Sequence, residues 1–474
     1  MLTTSKTHLN YKPIILMVCI TLMLWLTSKW YYRDWFENPY KYPAKLSSLT
    51  ATVLMCAGIF LSTRARFLEN LFGGMDKVYQ IHKRIGKWAF LIVLFHPLFL
   101  ALDRLPDVTD FLRAMWFQSP AQDNYLWGQN VGLIAIFLFA LLAALTLLIK
   151  LPYHLWKRTH EWFGFLMPVV IIHILLVNAD VAKYPLLRIW LYSLLALSVL
   201  GFIYIRFLYR FLGPHFKYVV SGLEKIGQII HVTFTPLGRK MDFKPSQFVY
   251  LVIRKKGITP EPHPYSIACG YNLGAEFKLG IKQVGDHTRT LDLLKEGDHA
   301  TIYGPYGHFS EKFLIAQRDC VFIGAGIGVT PFIGMWHVAL HSEDQYEKNE
   351  LPERLTCMHP EIIKSWQSPL VSLFYICSTK EEASFDSDIR REVVMSHFHG
   401  FRAFEQRGHH YELYISSKQG RITAQYINSH VAAGLKNKYI FLCGPTTMVD
   451  SLIRQFRAIG ICSRQIIVED FNLF

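Results

Sequence analysis

Six stretches in the first 210 or so residues, over about 13–28, 45–62, 85–102, 127–149, 161–177 and 186–206, are each apolar and near the ~20 residues that a hydrocarbon core requires. No other feature constrains the 474-residue chain as strongly, because backbone polar groups in lipid must satisfy one another and a helix does so within one segment. From about residue 213 onward the sequence changes to charged residues, Gly/Pro punctuation and short apolar runs. The length therefore predicts a membrane domain at 1–213 followed by soluble α/β sequence. The net charge of +14 lies partly beside the apolar stretches, and no block interleaves basic and aromatic residues as a nucleic-acid surface does, so nucleic acid is excluded as a partner. Eight cysteines without paired spacing exclude a disulfide framework.

The first stretch has no small-residue cleavage site and runs into KWYYRDW, the composition of an interfacial belt, so it is expected to be a span and not a removable signal. The connector at 63–84 carries Arg64, Arg66, Lys77, Lys83 and Arg84, and the one after the fourth span carries Lys150, Lys157 and Arg158. The connector at 103–126 is acidic, with Asp103, Asp107, Asp110 and Asp123. The positive-inside rule then puts both termini in the cytoplasm of a multi-pass protein of the cell membrane, plasma or inner.

Spans three and five run in the same direction, and each carries two histidines: His82 and His96, His160 and His173. At ~1.5 Å per residue the two steps of fourteen and thirteen residues are ~21 and ~20 Å, so two parallel helices offer one pair of imidazoles at each of two heights. That arrangement suits two stacked haems, each held by two histidines. Read singly, each residue is an interfacial or packed polar histidine; four at matched depths favour the haem reading. On an ideal helix His173 is rotated ~140° from His160, and Pro168 between them is expected to kink or unwind the segment.

In the soluble part, FKYVV, QIIHVTFT, SQFVYLVI, HPYSIA, FKLGIKQVGDHTRTL (277–291) and TIYGPYGHFS predict a small antiparallel barrel over 214–315. The run CVFIGAGIGVTPFIGM (320–335) predicts a strand, a glycine turn and a helix start, and further strands at 371–377 and 438–443 make 316–474 an α/β domain. Gly324, Gly326 and Gly328 would let a pyrophosphate approach the helix N-terminus, although GxGxG is weaker than GxGxxG and a ligand-free turn is the alternative. The polar stretch 342–368 is expected to be an inserted loop.

The order HPYS, GDHT, GPYG, GAGIGVTPF, LCGP and a C-terminal EDF resembles the dehydrogenase half of the NADPH oxidase and ferric reductase superfamily, whose soluble relatives are the ferredoxin-NADP reductases. The histidine spacing resembles the haem-binding half of the same superfamily, in the bacterial form without EF-hands. The resemblance implies a six-helix transmembrane haem bundle, an FAD-binding antiparallel barrel and an NADPH-binding α/β domain. It implies that His263, Pro264, Tyr265 and Ser266 hold the flavin, with Tyr265 packing on the isoalloxazine, and that Gly285, Asp286, His287 and Thr288 meet the FAD pyrophosphate. Gly324, Gly326, Gly328, Thr330 and Pro331, with Cys443, Gly444 and Pro445, are implied as nicotinamide-nucleotide contacts, Thr330 and Cys443 nearest the reacting ring. Phe471 is implied as an aromatic gate over the flavin, with Phe474 as its rival and simple packing as the alternative.

Ser378, Lys380 and Arg421 offer donors and positive charge for a 2′-phosphate, or are solvated surface groups. The resemblance thus implies FAD, two haems b and NADPH as electron donor, with O2 at the outer face reduced to superoxide. A ferric chelate is the alternative acceptor on the same path, and a haem-binding membrane protein without turnover is a third reading. The sequence departs from the family in running NLF past EDF and in having Leu100 where the phagocyte enzyme has a histidine near its outer haem. No EF-hand loop precedes the bundle, so calcium regulation is not implied, and protein partners are not indicated.

Overall fold

Six helices are long and apolar enough to cross a membrane: α1 (Lys12–Tyr32), α2 (Lys41–Leu61), α3 (Met75–Leu102), α4 (Asn124–Leu147), α5 (Tyr153–Val177) and α6 (Pro185–Leu212). The computed structural model describes residues 9–119, 123–177, 180–269, 276–315, 318–347, 369–398 and 408–469, and its contacts divide the chain between Leu212 and Gly213 into two compact units. The first unit is a multi-pass membrane bundle.

Helices α3, α5 and α6 are longer than the apolar runs predict. α6 extends at its C-terminal end, whereas α3 and α5 begin earlier, so Lys77, Lys83 and Arg84 stand on α3, and Lys157 and Arg158 on α5, where connectors were expected. Hydropathy marks where a helix is greasy, whereas the hydrogen-bond ladder continues for as long as the backbone finds no better partner. Consequently His82 and His160 lie inside helices and not in their approaches. α3 is interrupted at Leu94, immediately before His96 and Pro97, where proline withholds an N–H from the ladder. Pro168 does not end α5, contrary to the expected unwinding. The carbonyl that a proline there leaves without its i+4 donor belongs to Gly164, against which Phe202 of α6 packs so closely that a Cβ would stand 2.0 Å from its ring.

α2 packs on α1, α3 and α6, and α4 packs on α5. The apolar core of the unit joins Trp25, Leu49, Val53, Cys56, Met167, Leu187 and Leu191. A charge lies within it: Lys29 is fully buried, 3.5 Å from Asp180 and 3.6 Å from Asp34, with its ammonium 3.6 Å from the centre of the Phe36 ring. Asp180 also accepts the Trp25 indole N–H at 2.8 Å.

The second unit begins with a six-stranded antiparallel sheet: β1 (His215–Ile226), β2 (Ile229–Pro236), β3 (Phe248–Ile253), β4 (His263–Ser266), β5 (Phe277–Lys282) and β6 (His299–Tyr306), in the order β4-β3-β6-β1-β2-β5. A bridge between Ile267 and Leu279 joins the two outer strands and closes the sheet into the expected barrel around Phe216, Tyr218, Val232, Phe234, Leu251 and Ile302. The predicted run 277–291 stops being strand at Lys282; GDHT opens a short helix, Asp286–Thr290, because the Thr288 hydroxyl caps the Gly285 N–H at 3.0 Å.

Beyond it, β7 (Cys320–Ala325), β8 (Val371–Cys377), β9 (His410–Ile415), β10 (Tyr439–Cys443) and β11 (Ile466–Glu469) form a parallel sheet in the order β11-β10-β7-β8-β9. α7 (Thr330–Glu347) and α8 (Asp386–Phe398) cover one face through Phe332, Trp336 and Ile389, and α9 (Thr446–Ala458) covers the other through Leu452, Ile453 and Phe456. Burial on both faces explains why these strands read as continuous apolar runs. Of the stretch expected to be a loop, 342–347 belongs to α7, and the rest, 348–368, lies outside the described residues.

The Lys29 cluster yields a stability prediction. Asp180→Ala leaves the buried ammonium with the part-exposed Asp34 as its one remaining carboxylate and the Trp25 N–H without its acceptor, and breaking a buried pair costs up to about 3–5 kcal/mol. Thermal unfolding in detergent should show a large drop for Asp180→Ala and recovery of most of it in Lys29→Met/Asp180→Leu. Equal losses in both variants would contradict the assignment.

Candidate functional site

The four histidines meet in two pairs. The rings of His82 and His160 have centroids 5.9 Å apart with planes at 69°, and those of His96 and His173 are 6.4 Å apart at 73°. Two nitrogens each ~2.0 Å from a shared metal, with ring centres ~1.1 Å further back, give a centroid separation of ~6.2 Å, so each pair has the spacing of a bis-imidazole clamp. Among the described residues no group of three or more His, Cys, Asp and Glu converges as a metal site, and each histidine pair offers two imidazoles.

Three of the four rings are aimed by the neighbouring helix. His82 Nδ1 lies 2.8 Å from the Gly58 carbonyl and His96 Nδ1 2.9 Å from that of Ala44, both on α2, while His173 Nδ1 lies 2.8 Å from the Gly128 carbonyl on α4. A carbonyl only accepts, so in each ring Nδ1 carries the proton and Nε2 keeps a free lone pair, the form in which an imidazole can serve as a metal ligand. These partners are backbone atoms without a residue-type signature, and the sequence does not announce them. One signal is legible: Gly128 and Gly132 stand at GxxxG spacing, the pattern that lets membrane helices approach closely. A Cβ on Gly128 would lie 2.9 Å from the Val177 backbone nitrogen, and one on Gly132 would lie 2.6 Å from His173 Nδ1 and Cε1.

In the barrel, β4 is HPYS, placed by pairing with β3: His263 opposite Leu251, Tyr265 opposite Val249 and Ser266 opposite Phe248. The Tyr265 hydroxyl is buried with no hydrogen-bond partner, and burial holds its pKa above the ordinary tyrosine range. An orphaned buried donor in a small-molecule cradle fits a ring ligand that supplies its acceptor. His263 and His287 stack at 3.7 Å and 21°, which brings the HPYS and GDHT motifs together, and Thr259 Oγ1 lies 3.0 Å from His287 Nδ1. Burial pulls the His287 pKa below the ordinary histidine value, while the Glu261 charge opposes the shift. Gly285 and Asp286 are exposed. The Thr288 hydroxyl is engaged with its own turn, donating to the Gly285 carbonyl at 3.0 Å, so the hydroxyl donor expected for a pyrophosphate is already in use.

At the carboxyl ends of the parallel strands, Gly326 has φ +54° and open space where a Cβ would stand, the geometry of a backbone exposed to a ligand. Gly328 packs against β10, with an added Cβ 2.7 Å from the Cys443 carbonyl, and Gly324 is register partner of Cys443. The GAGIG turn and the CGP loop (Cys443, Gly444, Pro445) are thus one assembly. Thr330 and Cys443 are buried, and the Thr330 hydroxyl donates to the Ile327 carbonyl at 2.9 Å. Pro331 is buried in the first turn of α7. Ser378 and Lys380 follow β8, and the segment leading to Arg421 is tied alongside them by Ser417 N–H donating to the Ser378 carbonyl at 3.2 Å. The Glu381 carboxyl there is held below its ordinary pKa, first by the Thr379 hydroxyl, with Lys418 and Lys380 adding to it. Ser378, Lys380 and Arg421 are exposed. Phe471 and Phe474 lie outside the described residues.

Residues 47–171 match the family described as ferric reductase like transmembrane component. Among curated relatives, the sulfhydrogenase 2 subunit gamma of Pyrococcus furiosus is 24% identical over 227 residues, covering 46% of this chain and 68% of that protein. The flavohemoprotein of Vibrio cholerae is 21% identical over 244 residues, covering 50% of this chain and 53% of that protein. Among solved structures, the FAD/NAD-binding domain of the nitric oxide dioxygenase of Vibrio cholerae aligns with a TM-score of 0.40 at 19% identity, covering 54% of this chain and 98% of that one. The ferric-reductase-like stretch thus lies within the bundle, and the bundle is followed by an antiparallel barrel and a parallel α/β domain.

Proposed function

We propose that the chain is a transmembrane NADPH oxidase that carries electrons from cytosolic NADPH through FAD and two b-type haems to O2 at the outer face, producing superoxide. The observation that carries this reading is the meeting of His82 with His160 and of His96 with His173 at separations of 5.9 and 6.4 Å on α3 and α5. Held by His82 with His160 and by His96 with His173, haem would supply one-electron chemistry between flavin and acceptor. The chain's own groups orient those imidazoles: Gly58 and His82 at the inner pair, and Ala44, Gly128 and the cleared space at Gly132 at the outer pair. In the soluble unit, Pro264, Tyr265, Ser266 and the stacked His263 and His287 hold the flavin. The Gly324–Gly328 turn, Thr330, Pro331 and the Cys443–Pro445 loop hold the nicotinamide nucleotide, with Phe471 shielding the flavin. The basic residues near one end of the spans support cytoplasmic termini.

A second reading, a ferric-chelate reductase on the same path, is favoured by the description of the family that residues 47–171 match. Purified protein supplied with NADPH separates the two. Superoxide-dismutase-sensitive cytochrome c reduction in air should exceed Fe(III) reduction under nitrogen; dominant ferric activity with negligible superoxide would reverse the ranking.

The ligand assignment predicts that His96→Leu retains one haem per chain with flavin content unchanged. Gly132→Val should act in the same direction, because its side chain collides with the His173 ring. Pyridine haemochrome and flavin analysis check both, and two haems retained in His96→Leu would refute the pairing.

Ser378, Lys380 and Arg421 support a preference for NADPH. A charge-assisted contact to phosphate contributes about 1.5 kcal/mol at an exposed site, roughly tenfold in affinity. Arg421→Ala should therefore raise the KM for NADPH about tenfold and leave that for NADH unchanged. Equal specificity constants for the two nucleotides in both proteins would remove the claim.

A further inference from the structure

Three of the four paired histidines are anchored through Nδ1 to a carbonyl of a neighbouring helix; His160 is different. Its Nδ1 is buried and has no hydrogen-bond partner among the described residues. In place of a carbonyl, the ring lies on the indole of Trp156, four residues earlier on the same face of α5, with centroids 5.0 Å apart and planes only 13° from parallel. Phe163 meets it edge-on at 5.2 Å and 61°. Trp156 lies in turn at 6.0 Å and 25° from Tyr153, so the plane of the indole is itself supported from the start of the helix.

We propose that Trp156 is the positioning residue of His160, fixing by ring stacking what Gly58, Ala44 and Gly128 fix by hydrogen bonding for the other three ligands, and that the inner pair is consequently the weaker-donating pair. The inference rests on the haem reading above. An acceptor on Nδ1–H has two effects on a ligand: it sets the rotation of the ring and it raises the basicity of Nε2. A stacked indole supplies the first effect through its face and offers nothing for the second, since its only polar group is an N–H donor. At the outer pair both rings are hydrogen-bonded to carbonyls. At the inner pair only His82 is so bonded, and the orientation of its partner depends on aromatic contact.

The test uses the full-length chain carrying His96→Leu, so that the remaining haem reports the inner pair, and follows low-spin EPR together with a potentiometric titration. Trp156→Leu should shift the EPR g-values and move the midpoint potential upward, because a loosened imidazole stabilises ferric iron less. Trp156→Phe, which keeps a stacking face, should remain close to the parent. Unchanged g-values and potential in Trp156→Leu, or identical shifts in the Leu and Phe variants, would overturn the proposal. Should the Leu variant not accumulate, Trp156→Met fills similar volume without a ring and is read by the same criteria. A parent chain, without either change, that binds no low-spin haem would remove the haem reading and this inference with it, whereas a failure confined to the Trp156 series removes the inference alone.

Discussion

The bundle depends on hydrogen bonds between ring nitrogens on one helix and backbone carbonyls on the next. In a helix a carbonyl is normally committed to its own ladder, and the acceptors at Gly58, Ala44 and Gly128 use their second lone pair for a neighbouring histidine. That requirement ties the helices that carry the ligands to partners that carry none: α3 must lie on α2, and α5 on α4. The small residues follow from it. Glycine at 128 lets α4 and α5 approach, since a Cβ there would lie 2.9 Å from the Val177 nitrogen, and a side chain at 132 would occupy the place of the His173 ring. Phe90 of α3, Phe139 of α4 and Phe163 of α5 continue the same joint with ring contacts at 5.3 and 5.6 Å.

The soluble unit rests on the analogous principle in a different geometry. The Gly324 and Gly328 approaches draw the first turn of α7 against the end of β10, so two loops far apart in sequence form one ledge at the carboxyl edge of the sheet. The barrel is fastened to the same region from the other side. A Cβ on Gly280 of β5 would strike the Phe385 ring at 2.3 Å, and Lys278 pairs with Asp388 at 2.9 Å. The two subdomains therefore share a joint that is packed as well as charged.

Six spans, the barrel and the parallel sheet were legible because each rests on side-chain periodicity or on glycine at a turn. The four histidines were legible for the same reason, since spacing along parallel helices converts directly into height. Their supports were not, because a carbonyl is present at every residue and only tertiary contact selects one. The continuity of α5 through Pro168 is of another kind: of the kink or unwinding expected there, unwinding does not occur, and the helix passes the proline with one carbonyl deprived of its donor. The capping of Gly285 by Thr288 was likewise hidden, because the same hydroxyl reads equally well as a ligand donor until its own turn claims it.

The supports of the ligand set also bear on where a module begins. The stretch recognisable as ferric-reductase-like runs from 47 to 171 and includes His82, His96, His160, Gly58 and Gly128, but stops short of His173. It leaves out Ala44, whose carbonyl aims His96, and both ends of the Lys29–Asp180 pair. A fragment trimmed to the recognisable stretch would keep His82 and His160, with the Gly58 acceptor of His82, and would lose both His173 and the Ala44 acceptor of His96. The unit that likeness preserves and the unit that physics requires are thus of different lengths, and the difference falls on the histidine pair assigned to the outer haem.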